Sequence, residues 1–190
     1  MRIIGGKYRS RHLKSLPGLD LRPTSDRLRE TLFNVLTAGN SQALSGSTWL
    51  DLYAGTGAVG IEVLSRGAVQ VVFVEDSKQA SNLIRQNLHA LGIQHGFEIL
   101  DQDATKALRR LEARGAHFSY CFLDPPYRLR EQYARTLETL SQSTLITAES
   151  LVIAEHEKKF DPGDAFGSLQ RVRRLVQGDA ALSFYRRTSG

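Results

Sequence analysis

The tetrapeptide Asp124-Pro125-Pro126-Tyr127 brings together residue types that can hold a flat amine. An ionised carboxylate and the two proline carbonyls accept hydrogen bonds, and proline has no N–H to donate. The tyrosine ring offers a face on which a planar base can stack. The tetrapeptide follows the apolar run 120–123, which is typical of a buried parallel strand. Ligands of open α/β sheets bind beyond the carboxyl ends of the strands, so we predict a catalytic site for an amine here. A plain surface turn has the same composition.

A second motif lies upstream, in residues 51–60 (DLYAGTGAVG), where a predicted strand turns into a predicted helix. Gly55 and Gly57 allow a tight turn and close approach of the backbone to a ligand, and the start of the helix supplies N–H donors. Twenty residues after Gly55 the next predicted strand ends in Glu75-Asp76, where a carboxylate can accept both hydroxyls of a ribose. The arrangement predicts an adenosine-containing cofactor.

Asp51 decides between two such cofactors. The spacing Gly55-x-Gly57-x-x-Gly60 also matches the dinucleotide fingerprint, which alone is a weak signal. A carboxylate at position 51 would repel a pyrophosphate but attract an ammonium group. We therefore predict S-adenosylmethionine, which carries an ammonium and a sulfonium and no phosphate; a simple capping role for Asp51 is the alternative. Asp103-Ala104 could contact the adenine, and Asp103 is equally suited to cap a helix.

The elements that must position these residues alternate regularly. Strand-like runs fall near residues 48–53, 69–75, 97–100, 119–124 and 150–155, and helix-like runs near 57–66, 77–91, 103–114 and 130–141. This alternation predicts an α/β fold with a doubly wound, mostly parallel, seven-stranded Rossmann-like sheet. Residues 171–176 and 181–185 predict a closing antiparallel hairpin. We divide the chain into two parts. Residues 1–40 form a basic extension, made of a hairpin and a helix over 26–36, and residues 41–190 form a cofactor-binding domain.

The positive charge of the chain is concentrated near its beginning. Residues 1–30 contain eight Lys or Arg and three acidic side chains, whereas the remaining residues contain seventeen of each sign. Lys7, Arg9 and Arg11 alternate, so on a strand they would share one side. The stretch predicts an RNA-binding surface, with a merely solvated basic face as the alternative. The predicted RNA contacts are Lys7, Arg9, Arg11, Arg22, Arg27 and Arg29.

Other classes of protein are disfavoured by composition. Cys121 is the single cysteine, so an internal disulfide is excluded, and its place in a predicted strand favours a small core residue. The five histidines lack metal-ligand spacing. The apolar runs are too short to span a bilayer, and the first residues lack a secretory signal. We expect a cytoplasmic monomer without metal.

Together these motifs resemble the class I methyltransferases that modify exocyclic amino groups. Residues 2–6, 22–34 and 64–68 are similar, more narrowly, to the RsmD family, whose members methylate N2 of a guanine in small-subunit (16S) ribosomal RNA. The resemblance implies a base site at 124–127 and a contact of Thr24 with the carboxylate of the cofactor. Ser25 and Thr56 replace similar small residues, and Asp103 falls where the family varies. The other implied or predicted cofactor contacts are Asp51, Tyr53, Gly55, Thr56, Gly57, Glu75, Asp76, Asp103 and Ala104.

Three other functions remain open from the sequence. An amino methyltransferase could act on adenine or cytosine in DNA, or on a protein glutamine. An RNA-binding assembly factor could have lost catalysis. A nicotinamide-dependent oxidoreductase is disfavoured by Asp51 and by the lack of an evident acid for hydride transfer.

Overall fold

The computed structural model describes residues 1–15 and 25–188 of the 190-residue chain. Within these residues, five helices (α1 to α5) span Asp26–Leu36, Ala58–Ser65, Lys78–Ala90, Ala104–Ala113 and Glu131–Gln142. Eight strands (β1 to β8) of the described residues span Thr48–Leu52, Gln70–Glu75, Phe97–Asp101, Tyr120–Leu123, Leu151–Glu157, Ala165–Phe166, Leu169–Gln177 and Ala180–Arg187. The predicted helices and strands agree with these bounds to within two residues, and only Ala165–Phe166 was not predicted.

The strands form one sheet in the order β3-β2-β1-β4-β5-β8-β7-β6. Strands β1 to β5 pair in parallel, and β8, β7 and β6 continue the sheet antiparallel. The predicted doubly wound sheet with a C-terminal hairpin is confirmed. The structure has eight strands instead of seven because Ala165–Phe166 turns back at Gly167 (φ 52°) and pairs with the start of β7. The carboxyl ends of β1, β2, β3 and β4 therefore lie along one edge of the sheet.

Two hydrophobic cores lie on opposite faces of the sheet. Trp49 of β1 belongs to the core that includes Leu32 of α1 and Ile84 of α3. Leu50, the next residue, belongs to the other core, together with Leu137 of α5. Successive side chains of a strand point to opposite faces, which explains why a nearly continuous apolar strand is buried on both sides. Cys121 is fully buried in the second core, and burial raises the pKa of its thiol, as expected of an inert core residue.

The N-terminal segment packs on the parallel sheet and has no core of its own. Ile3 and Leu13 share the first core with Trp49. A boundary at residue 40 therefore does not separate two cores. The arm, residues 1–13, closes through a single antiparallel bridge between Arg2 and His12, with turns and bends over residues 5–10. The prediction that Lys7, Arg9 and Arg11 alternate along a strand is wrong, because this part of the arm is a loop.

A buried carboxylate holds the arm against α2. Glu62 Oε2 accepts from the backbone N–H of Ile4 at 2.8 Å, and Oε1 accepts from that of Gly5 at 2.7 Å. The guanidinium groups of Arg29 and Arg66 lie 3.4 and 2.9 Å from the same carboxylate. Glu62 is 0% exposed. Both oxygens of Glu62 accept hydrogen bonds and its charge is matched by guanidinium groups, which a buried carboxylate requires.

The position of Arg29 corrects one sequence prediction. Its side chain is 0% exposed, and besides Glu62 it contacts Asp26 at 2.6 Å and the carbonyl of Arg2 at 2.7 Å. Arg29 therefore joins the arm, α1 and α2, and it has no surface to offer RNA.

Two findings concern membranes and metals. None of the helices in the described part of the chain is both long and apolar enough to cross a bilayer. Residues 1–15 and 25–188 contain no cluster of three His, Cys, Asp or Glu side chains that could hold a metal ion.

Candidate active site

A cavity of about 450 Å³ opens at the carboxyl edge of the sheet, beyond β1, β2 and β4. This volume is within the usual range for small-molecule sites. The cavity is lined by both motifs singled out in the sequence. The glycine-turn motif contributes Asp51, Tyr53, Gly55 and Thr56, and the end of β2 contributes Glu75 and Asp76. Asp103 comes from the start of α4, and the residues after β4 are Asp124, Pro125, Pro126 and Tyr127.

Asp51 lies at the bottom of this cavity and is only 2% exposed. It is paired with Phe122 of β4 in the sheet, and its Oδ2 accepts from the backbone N–H of Gly60 at 2.9 Å. Burial raises the pKa of Asp51 to about 8, against the effect of the Gly60 hydrogen bond, and the nearby Glu75 carboxylate raises it further. A Cβ at position 60 would lie 2.2 Å from the Phe73 ring, so glycine is required there. Asp51 thus combines the predicted ligand-facing role with a bond to the following helix.

Glu75 stabilises the glycine turn. Its Oε2 accepts from the backbone N–H of Gly55 at 2.8 Å, and its Oε1 accepts from that of Ser77 at 2.9 Å. Burial is the main cause that raises its pKa. Each carboxylate oxygen can accept a further hydrogen bond, so the carboxylate retains acceptor capacity for ribose hydroxyls. Gly57 caps α2 in the left-handed region (φ 76°), where a side chain would be strained.

The remaining cofactor candidates differ in their placement. Tyr53 adopts an unusual positive φ of 59°, and its hydroxyl lies 2.8 Å from that of Thr136 on α5. Asp103 caps α4 by accepting from Thr105 and Lys106 N–H groups, both through Oδ1, so Oδ2 is not used in capping. Ala104 does not line the cavity, because its methyl group packs in the core beneath α4.

The loop of residues 124–127, which we call the base-site loop after the predicted function, contacts a tyrosine of α5. Tyr133 is 1% exposed, and its hydroxyl lies 2.8 Å from the carbonyl of Glu155 and 3.3 Å from that of Pro125. The carbonyl of Pro126 accepts from the N–H of Leu129 at 2.7 Å within the loop itself. The Pro125 carbonyl keeps a second lone pair and is thus the main-chain acceptor with spare capacity beside Asp124.

Several predicted residues lie elsewhere. Thr24 and Arg22 lie outside the described residues. Gly57 shapes the turn from below without lining the cavity. Arg27 is exposed at the start of α1, where it lines a second, smaller cavity of about 240 Å³. Lys7, Arg9 and Arg11 are exposed on the arm, apart from both cavities.

Other cavity residues were missed in the sequence. Phe122 lies on β4, two residues before Asp124, which directly follows the strand, so period-two geometry could have placed both on one side. Val59 and Gln132 approach the cavity from the first turns of α2 and α5. No local signal distinguishes Gln132 from other polar residues of its helix.

Comparison with known proteins decides the family. The family model described as "Conserved hypothetical protein 95" matches residues 1–186. The chain belongs to this family. A putative rRNA methyltransferase, YlbH of Bacillus subtilis, is 32% identical over 188 residues, covering 98% of this chain and 99% of the relative. Ribosomal RNA small subunit methyltransferase D of Haemophilus influenzae is 37% identical over 161 residues, covering 83% of this chain and 79% of the relative.

A solved structure agrees with these relatives. The putative methyltransferase yhhF from Escherichia coli superposes with a TM-score of 0.83 at 29% identity, covering 100% of this chain and 99% of that one. The predicted membership of the RsmD family is confirmed. The cofactor is S-adenosylmethionine, as predicted from Asp51 and the glycine turn. The donor set fits it, because buried carboxylates in the cavity suit a cationic ligand and disfavour a pyrophosphate.

The raised pKa of Asp51 leads to a prediction about cofactor binding. Near pH 7 the carboxyl group is mostly protonated, since its pKa is about 8. The ammonium group of the ligand favours the ionised form and lowers this pKa, so we expect binding to release a proton and to tighten as pH rises towards 8. Calorimetric titration of S-adenosylhomocysteine in buffers of different ionisation enthalpy measures the release. Asp51→Asn is the control and should release correspondingly less; equal release from both proteins would contradict the assignment.

Proposed function

We propose that the protein transfers a methyl group from S-adenosylmethionine to the N2 amino group of a guanine in small-subunit (16S) ribosomal RNA. The observation that carries this proposal is that one cavity joins the glycine turn and its carboxylates to the loop of Asp124 and Tyr127. Relatives named as methyltransferases of small-subunit ribosomal RNA support the choice of RNA. The acceptors and the aromatic ring of the loop support an exocyclic amine as the target.

The base-site loop positions the amine. When bound, the cofactor supplies a methyl group on a sulfonium. The carboxylate of Asp124 and the carbonyl of Pro125 accept the two N–H groups of the amine, which directs its lone pair and stabilises positive charge as it develops on nitrogen. The hydroxyl of Tyr133 donates mainly to the carbonyl of Glu155 and lies 3.3 Å from that of Pro125, so the buried ring packs against the loop and limits its movement. Tyr127 stacks on the base, a contact worth about 1–3 kcal/mol.

No general base is needed in this mechanism. The N2 lone pair of guanine is delocalised into the ring, so the amine is a poor nucleophile and the main task is orientation. The proton leaves after the methyl group has been transferred. Asp51 lies among buried groups at the cofactor end of the cavity, where it orients the cofactor.

The proposal extends to the setting of the reaction. Because ribosomal RNA is the proposed substrate, we propose that the protein acts in the bacterial cytoplasm. We further propose that it acts as a monomer and without a metal ion. A metal requirement would appear as loss of transfer in the presence of a chelator.

The experiment that tests the function identifies the product. Small ribosomal subunits from cells lacking the protein are incubated with it and with methyl-labelled S-adenosylmethionine, and the RNA is digested to nucleosides. We expect the label in N2-methylguanosine at a single position. Label in N6-methyladenosine, in N4-methylcytidine or in protein would contradict the proposed target, and subunits from wild-type cells serve as the already modified control.

A further inference from the structure

The arm presents its positive charge at a distance from the cavity. We call residues 7–11 the arm tip. The N–H of Lys7 donates to the carbonyl of Ser65 at 2.7 Å, and the guanidinium of Arg11 donates to the carbonyl of Ala90 at 3.1 Å. Ser65 is the last residue of α2, and Ala90 is the last residue of α3. The tip therefore contacts the C-terminal ends of both helices.

Both helices begin at the cofactor site; α2 runs away from it, whereas Asn87, near the end of α3, still donates to the carbonyl of Thr56 in the glycine turn at 3.1 Å. Gly57 caps α2 within the glycine turn, and Ser77 caps α3 immediately after Glu75 and Asp76. At about 1.5 Å per residue, eight residues of α2 and thirteen of α3 span roughly 12 and 20 Å. Crossover helices run antiparallel to the strands they connect, so the arm tip lies at the amino edge of the sheet, opposite the edge that carries Asp124.

The tip is a fixed structure. Gly6 has a φ of 76°, and a Cβ there would lie 1.9 Å from the carbonyl oxygen of Ser65, so the loop fits closely against α2. The hydroxyl of Ser65 donates to the carbonyl of Gly5 at 2.6 Å and accepts from the N–H of Tyr8 at 2.9 Å. With Glu62 bonded to the preceding N–H groups, the loop is held on α2 by side chains at both of its ends.

The cations of the tip are available to an external anion. Lys7, Arg9 and Arg11 are exposed, and among the residues that the structure describes none of them forms an ion pair with a carboxylate. Glu62, the acidic side chain closest along α2, is buried and bonded to Arg29 and Arg66. An exposed, unneutralised cluster of this kind attracts phosphates.

We propose that the arm tip is a phosphate-binding anchor for RNA that is remote from the nucleotide being methylated. This rests on the proposed function and adds to it a substrate class: an extended, folded RNA that binds at the tip as well as at the cavity, whereas a short oligonucleotide binds at the cavity alone. The length of α2, about 12 Å, corresponds to roughly four steps of a stacked strand at about 3.4 Å each. RNA held at the tip thus reaches at least this far from the target guanine.

Two RNAs and two double variants test the anchor. The long RNA is a 16S ribosomal RNA transcript, and the short one is a pentanucleotide with the methylated guanine at its centre. The tip variant is Lys7→Gln/Arg9→Gln, which spares the hydrogen bond of Arg11 to α3. The control is Arg109→Gln/Arg110→Gln, two adjacent exposed cations on α4. For the wild type and both double variants we measure dissociation constants by fluorescence anisotropy, thermal midpoints of unfolding, kcat and KM.

The anchor requires a difference between the two RNAs. The tip variant should bind the long RNA about tenfold or more weakly at 0.1 M salt, and the slope of log K against log salt should shrink by about 1.4–1.8 for two lost phosphate contacts. Its kcat, its thermal midpoint and its KM for the pentanucleotide should match the wild type, and the α4 control should match throughout. An equal loss of affinity for both RNAs would show that the tip residues act at the cavity and would overturn the anchor. Unchanged binding of the long RNA would overturn it as well. Failure of the proposed function is distinguishable, because it would remove methyl transfer to either RNA in the wild type while leaving the binding comparison readable.

Discussion

Replacing Asp124 with alanine should lower kcat by about two to three orders of magnitude, similar to the loss of one preorganised hydrogen-bonding group at other active sites. The truncated side chain no longer accepts an N–H group of the amine, so the lone pair loses its direction towards the methyl group. Single-turnover transfer to small ribosomal subunits measures the loss. Binding of S-adenosylhomocysteine by calorimetry should stay within a few-fold of the wild type, because Asp51, Glu75 and the glycine turn are unchanged.

Asp124→Asn is the matched variant for this prediction. Asparagine keeps one carbonyl acceptor on a side chain of the same size, and it should retain more activity than alanine. A parallel loss of cofactor binding and turnover in Asp124→Ala would show that the residue shapes the loop and does not hold the amine.

Replacing Glu62 with alanine should lower the free energy of unfolding by about 3–5 kcal/mol, the usual effect of removing one partner of a buried ion pair. The substitution removes the buried one of the two carboxylates that pair with Arg29, leaving only the partly exposed Asp26, and it frees the N–H groups of Ile4 and Gly5. Urea unfolding followed by circular dichroism measures the change. Because the arm loses its bonds to Glu62 and keeps only those to Ser65 on α2, protease cleavage near residues 4–9 should also become faster.

A surface ion pair provides the control for Glu62. Glu98 pairs with Arg114 at 3.0 Å, and both side chains are partly exposed. Glu98→Ala should change stability by no more than about 1 kcal/mol, because exposed pairs are screened by solvent. If the two alanine variants had the same unfolding midpoint, the buried network would not be what attaches the arm to the fold.

Most of the fold was predictable because its signals are local. Short apolar strands alternate with amphipathic helices, and residues such as Ser25, Ser77 and Asp103 cap the helices that follow them. The two-residue strand β6 was not predicted, since a segment this short has no periodicity and is defined only by its pairing with β7. The arm was misjudged for a related reason: its conformation depends on α2, more than fifty residues away.

The residues of the candidate site likewise fall into those that local sequence predicts and those that only the tertiary structure reveals. Residue types and spacing were enough to select Asp51, the glycine turn, Glu75 and the tetrapeptide 124–127, because strand ends and glycine turns have characteristic local sequences. Tyr133 could not be selected, since it acts by contacting Pro125 and Glu155 from another element. Arg29 had the charge of an RNA contact, yet its burial against Glu62 depends on three segments meeting.

The sequence by itself therefore determined the fold class and the cofactor, and it predicted the chemical character of the candidate base site, all of which depend on neighbours within a few residues. Only the tertiary structure decided which of the basic residues face solvent and at which edge of the sheet they stand. Burial and distance between elements arise from packing of segments far apart in the chain, and charge composition alone carries no information about either.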